Sequence, residues 1–150
     1  EIINKPYYHY LQRQCSIQNS SFSEKRFVIL DTVKLAVDRL ETVDANKQQM
    51  VKNTLFLNQV LSMAMYPIRE VKEFKERERL LRKYMERVYE LFPDFMETPS
   101  FKELVRWGNP IIRMYRKISL KLLKKRKYHT TCEFWQLYNW GYAFYRRMHN

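Results

Sequence analysis

The sequence predicts a mainly α protein, a bundle of five or six helices preceded by one short N-terminal β-strand or hairpin. Three observations carry that expectation. Only two glycines and five prolines interrupt 150 residues, and the bulk is Leu, Lys, Arg, Glu, Met and Gln, which lose little rotamer freedom in a helix. Apolar residues recur at spacings of three and four through most of the chain. The exception is Pro6 to Arg13, where strand-favouring aromatics alternate so that Tyr7, His9, Leu11 and Arg13 share one face.

After that strand, Gln14 to Ser20 is rich in short polar side chains that bond to nearby backbone, which predicts a loop. Ser21-Phe-Ser-Glu24 fits a capping box and predicts a helix start. Ile29, Val33, Ala36, Val37 and Leu40 then form one apolar stripe to about residue 41. A second helix is expected from near Asp44, with Val51, Leu55, Leu61 and Met65 inward, ending or kinking before Pro67. Its second apolar row, Met50, Leu57, Val60 and Ala64, predicts contact on two sides.

Ile68 to Leu91 reads as an amphipathic helix with Val71, Phe74, Leu81, Tyr84, Val88 and Leu91 inside and a mixed-charge, solvated face over residues 72–79. Phe92-Pro93-Asp94 breaks it. Ser100-Phe-Lys-Glu103 offers a second capping box for a short helix ending around Trp107-Gly108. Asn109-Pro110 restarts the chain, since proline suits a first helical position. Over residues 110–127, Ile111, Tyr115, Ile118 and Leu122 fall on one side, with cations on the rest. A last helix is expected over about 132–148, carrying Phe134, Trp135, Tyr138 and Trp140.

Two units follow from this pattern. Residues 1–20 hold the strand and loop, and residues 21–150 hold the helices. A single strand cannot satisfy its own amides and carbonyls, and a two-stranded hairpin is marginal in water. The expectation is that residues 1–13 complete the sheet of another domain, or pair between copies as a homodimer.

Charge is the second guide to function. The formal net charge is +12, yet residues 100–150 alone hold 12 Lys and Arg against only Glu103 and Glu133. A field of one sign confined to one region suits an anionic partner. Cys15 and Cys132 have no neighbouring Cys or His at metal spacing, so reduced thiols and a cytoplasmic setting are expected. No apolar run approaches the roughly 20 residues that span a bilayer, and no basic-apolar-small leader opens the sequence.

One segment carries a resemblance. Lys5-Pro-Tyr-Tyr-His-Tyr-Leu-Gln-Arg13-Gln-Cys15-Ser16-Ile17, with Asn19-Ser20 after it, resembles the closing motif of bacterial family 2 glycosyltransferases: an aromatic strand, then Arg, two residues, and Ser-Ile. The resemblance is strongest over about residues 5–41. It implies an upstream GT-A domain that binds a nucleoside-diphosphate sugar and a divalent metal, Mg or Mn. It also implies a diphosphate contact through Arg13 and Ser16 in the intact enzyme. Arg offers a fixed fork of donors to phosphate oxygens, and a loop hydroxyl can add another. Cys15 stands where the family more often has glycine. His9, on Arg13's face, reads as a packing residue.

No Asp-x-Asp signature, catalytic carboxylate pair or metal cluster occurs in these 150 residues. The implied role is an accessory region, inactive alone, of an enzyme that glycosylates a cell-surface polysaccharide or lipid-linked acceptor. Its basic surface, Arg113, Arg116, Lys117, Lys121, Lys124, Lys125, Arg126 and Lys127, together with the aromatic last helix, matches an interfacial module for the inner face of the plasma membrane. The same apolar residues equally match core packing. Interleaved aromatics and cations also raise nucleic acid binding, which the absence of any helix-turn-helix, zinc-finger or RNP signature disfavours. A protein-interaction scaffold is the remaining alternative.

Overall fold

The computed structural model describes residues 22–40, 44–97, 106 and 108–149. The expected strand, Arg13, Cys15 and Ser16, and the capping box at Ser100 all lie outside them. Among the described residues every regular element is helical. A 3-10 turn, Glu24–Phe27, leads into α1, Val28–Arg39. Next come α2, Ala45–Leu55, which runs on through π-helical turns at Phe56–Leu61 and Ala64–Ile68, and then α3, Phe74–Leu91. The chain closes with α4, Pro110–Lys124, and α5, Tyr128–His149.

The centre of the bundle is α3. Its Leu80, Leu81, Tyr84, Met85 and Val88 are buried, and it touches α1, the end of α2 and α5. From α1 come Leu30 and Val33, and from α2 come Phe56, Val60, Leu61, Ala64, Met65 and Ile68. Phe56 sits edge-on between Phe92 and Phe95, with centroids 5.0 and 5.5 Å away, an arrangement that aromatic quadrupoles favour. Burying these side chains is the main force holding the bundle, at roughly 25 cal/mol per Å² of apolar surface removed from water.

α2 ends at Ile68, one residue beyond Pro67, before which the sequence predicts an end or a kink. The helix carries the proline inside the second π turn. Proline removes an amide donor and crowds the preceding turn, and a wider π turn accommodates that insult. Two tyrosines supply donors to the irregular stretch: Tyr84 Oη donates to the Val60 carbonyl at 2.9 Å, and Tyr115 Oη to the Met65 carbonyl at 3.1 Å. A buried carbonyl without a donor would cost about 1–3 kcal/mol, so these hydroxyls are part of what makes the π turns tenable. Met50, expected inward, is 66% exposed.

α3 begins at Phe74 rather than Ile68. Residues 69–73 form a turn, and the Glu73 carboxylate accepts from the amides of Lys75 and Glu76 as the cap. Arg77 is buried at 7% exposure. Its Nε donates to the Val71 carbonyl at 2.7 Å and its Nη2 to the Lys72 carbonyl at 3.3 Å, so one guanidinium holds the turn closed. At the first helix, Ser23 stands at the cap position with no side-chain bond to the helix. Ser21, the cap residue of the expected box, lies outside the described residues, and Glu24 binds Arg79 and Lys83 of α3.

α4 starts as expected. Asn109 Oδ1 accepts from the Ile112 amide at 2.9 Å, and Pro110 occupies the first turn. α5 starts four residues earlier than predicted, because Lys125 to Lys127 make a tight turn. The Arg126 amide donates to Leu123 and the Lys127 amide to Leu122, with Arg126 at φ 53°. This is a Schellman motif, normally closed by glycine. α4 and α5 then run antiparallel, with Tyr115 against Tyr138 at 4.2 Å and Trp135 Nε1 donating to Ser119 Oγ at 2.9 Å.

Candidate anion-binding surface

The inner face of α4 is not the one expected. Tyr115, Ser119, Leu120 and Leu123 are buried, whereas Ile111 is 49% exposed and Ile118 and Leu122 are half-buried. The stripe is rotated because Ser119, a polar residue, goes inside to meet the indole N–H of Trp135. A buried Trp N–H needs such an acceptor.

That rotation decides what α4 shows to solvent. Arg113, Lys117, Lys121 and Lys124, spaced four, four and three, share the outward face and are all exposed. Lys125, Arg126 and Lys127 continue the cationic surface through the Schellman turn and are exposed as well. Beside this row runs a second line, Ile111, Met114 and Ile118, with Ile111 and Met114 about half exposed. At spacings of three and four it leads into Lys121 and Lys125. Apolar side chains therefore adjoin the cations at one end of the helix.

Counter-charge is sparse here. Lys124 Nζ lies 2.6 Å from Glu97 Oε1. Arg113, Lys117, Lys121, Lys125 and Lys127 form no ion pair among the described residues. Arg116 differs from the rest: it is half-buried and its Nη2 donates to Tyr66 Oη at 2.9 Å, so it faces inward rather than along the open row. Arg126 lies over the Tyr89 ring at 4.6 Å, and Tyr89 Oη in turn donates to the Leu123 carbonyl at 2.9 Å.

α5 contributes both core and surface. Tyr128, Cys132 and Trp135 are buried and pack into the core. Leu137 and Trp140 are exposed at 69% and 74% on the opposite side, where they line a shallow depression with Glu133 and Gln136. Burial pushes the Cys132 thiol up to about 12, so the thiolate needed for nucleophilic chemistry is absent at neutral pH.

Among the described residues no group of three or more His, Cys, Asp or Glu side chains is placed to hold a metal ion, and no helix is long and apolar enough to cross a membrane. The proposed diphosphate residues Arg13 and Ser16 fall outside the described residues, so the geometry bears on the cationic surface alone. The sequence pattern gives no sign that Tyr66 and Arg69 neighbour Arg116. Their proximity depends on the end of α2 reaching α4, which no local pattern encodes.

No protein family, curated protein or solved structure matches this chain.

Proposed function

We propose that this chain is the C-terminal helical region of a family 2 glycosyltransferase, and that the outward face of α4 attaches it to an anionic membrane surface. The observation that carries the attachment is the row Arg113, Lys117, Lys121, Lys124 and Lys125, exposed, nearly free of carboxylates, and bordered by exposed Ile111 and Met114. Cations near an anionic surface contribute roughly 1 kcal/mol each, and amphipathic side chains beside them can enter the headgroup layer. In this reading Trp140 and Leu137 add a second apolar contact.

The transferase assignment rests on the Arg13-x-x-Ser16-Ile17 spacing after an aromatic segment. In that role Arg13 and Ser16 reach the nucleotide-sugar diphosphate, while the Mg or Mn ion and catalytic carboxylate belong to a GT-A domain. The helices hold the acceptor end of the reaction near the cytoplasmic face of the membrane.

Co-sedimentation tests the attachment. The protein should pellet with vesicles of phosphatidylserine in phosphatidylcholine at 0.1 M salt and remain in solution with phosphatidylcholine alone. Retention of a DNA or RNA oligonucleotide at the same salt, without vesicle binding, would replace this reading with nucleic acid recognition. For the transferase, the coding sequence ahead of Glu1 should specify a nucleotide-binding domain with an Asp-x-Asp pair.

A further inference from the structure

Behind the open cationic row lies a cleft of about 200 Å³ between the end of α2, the first half of α4 and the middle of α5. Its wall carries Tyr66, Arg69, Tyr115, Arg116, Tyr138 and Asn139. Two guanidinium groups from different elements converge on it. Arg116 Nη2 donates to Tyr66 Oη at 2.9 Å. Arg69 lies over two aromatic faces, its Cζ 5.5 Å from the Tyr66 ring and 5.4 Å from the Tyr115 ring, and its side chain is only 17% exposed. Tyr115 is itself braced by Tyr138 at 4.2 Å.

These contacts hold both arginines in defined places before any ligand arrives. The nearest counter-charge is Glu70, whose Oε1 receives the Arg69 Nε at 3.0 Å and Nη2 at 2.8 Å. That carboxylate is 63% exposed at the edge of the cleft. A small, largely aromatic-walled cleft that carries two guanidinium groups suits an oxyanion with several acceptor oxygens, which planar forks bind bidentately. Asn139 lines the same cleft. At about 200 Å³ the cleft is below the ~300–1,000 Å³ of an ordinary small-molecule pocket, so it fits one phosphate group and not a whole nucleotide.

We infer that the Arg69–Arg116 cleft is a binding site for a phosphate monoester or inorganic phosphate dianion. The site stands on residues other than the exposed row of α4, and it goes beyond surface attachment by requiring a shaped, saturable pocket. The phosphate can come from solution or from a lipid headgroup, and the two sources are separable.

Calorimetric titration of the intact chain with inorganic phosphate should show saturable binding at one site. R69Q/R116Q should weaken it about tenfold or more, since charge-assisted hydrogen bonds are lost, while K117Q/K121Q should leave it within about twofold. Equal loss in both double variants, or no saturation, would mean diffuse charge and overturn the site. Glu70→Gln removes the competing carboxylate without touching a cleft donor, so it should tighten binding, and an unchanged constant would count against the cleft even if R69Q/R116Q fails to fold. Vesicles of phosphatidic acid against phosphatidylglycerol at equal charge density then identify the source. A preference for phosphatidic acid that Glu70→Gln strengthens assigns the lipid monoester. Equal binding to both lipids beside saturable phosphate binding assigns the free ion.

Discussion

The outward faces of α3 and α4 are both crowded with Lys and Arg, yet they have opposite electrostatic character. On α3 each of several cations meets a carboxylate. Arg79 binds Glu24 and Glu76, Lys83 binds Glu24, Arg87 reaches Asp31 at 3.0 Å and Glu90 at 2.8 Å, and Arg82 meets Glu78 at 3.0 Å. These pairs bridge α3 to α1 and hold Glu24 and Glu76 below the usual carboxylate range through bonds to Arg79. On α4 the comparable row has Glu97 and little else among the described residues. Counting basic residues would rank the two helices together. The placement of acids separates a surface satisfied by its own partners from one whose field is left for another molecule.

Charge reversal gives the largest test of that contrast. K117E/K121E/K125E should weaken binding to phosphatidylserine vesicles by about a hundredfold, at roughly 1 kcal/mol per cation removed. R79E/K83E on α3 should change vesicle binding little. Thermal melts should show the reverse order: the α4 variant holds or gains stability as self-repulsion falls, and the α3 variant loses it as Glu24 and Glu76 face new anions. Vesicle affinity that falls equally in both variants would erase the distinction between the two faces.

The next effect concerns how α4 is held by buried hydrogen bonds more than by its exposed Lys124–Glu97 pair. Its anchor is the buried Trp135 Nε1 bond to Ser119 Oγ, both residues fully buried. Ser119→Ala leaves that indole N–H with no acceptor and should cost about 1–3 kcal/mol in urea unfolding. Tyr115→Phe, which removes the donor to the Met65 carbonyl, should cost a similar amount. Breaking the exposed Lys124 to Glu97 pair should cost much less. If the surface pair proved the more expensive, α4 would be docked in the same manner as α1.

These anchors also mark what the sequence made legible. Local signals located α4's start at Asn109-Pro110 and most of the heptad-like stripe on α1, because a cap and a spacing involve neighbours only. The fate of Pro67 was not legible: the π turns around it depend on Tyr84 and Tyr115, 24 and 50 positions from the carbonyls they serve. The rotation of α4 was hidden for the same reason, since Ser119 reads as a surface residue until Trp135 is placed beside it. α3's later start was at least hinted by Glu73, a carboxylate three residues ahead of Glu76, but the run of charge masked it. At the candidate surface, the cations of α4 were readable as a list. Their isolation from carboxylates, and the inward turn of Arg116, were not.

Arg126 ties the surface to the fold and predicts a smaller effect. It occupies a left-handed conformation at φ 53°, which costs an L-residue roughly 1–2 kcal/mol relative to glycine. Its contact over Tyr89 at 4.6 Å returns about 0.5–1 kcal/mol. Arg126→Gly should therefore move unfolding free energy by no more than about 1.5 kcal/mol, the largest difference between those terms. The same change removes one cation and should lower vesicle affinity about fivefold. A clear gain in stability with reduced binding would show that the position keeps its charge at the expense of the turn.

The smallest effect separates the two faces by pH. His129 on α5 lies 2.8 Å from Glu78 of α3 and 3.5 Å from Glu133, and the bond to Glu78 raises its pKa above the ordinary 6.5. A raised histidine contributes stability that is fully present below the unfolded value and is lost as pH climbs through the folded one. Glu78, lowered chiefly by the same bond, has the opposite sign: its contribution is present above its ordinary value and fades as pH falls through the lowered one. The α3–α5 contact should be best formed between those limits, with His129→Gln flattening the alkaline side of the profile. Vesicle binding through α4 has no such group in its open row and should stay level from pH 6 to 8. A parallel decline of both with rising pH would place His129 in the binding surface.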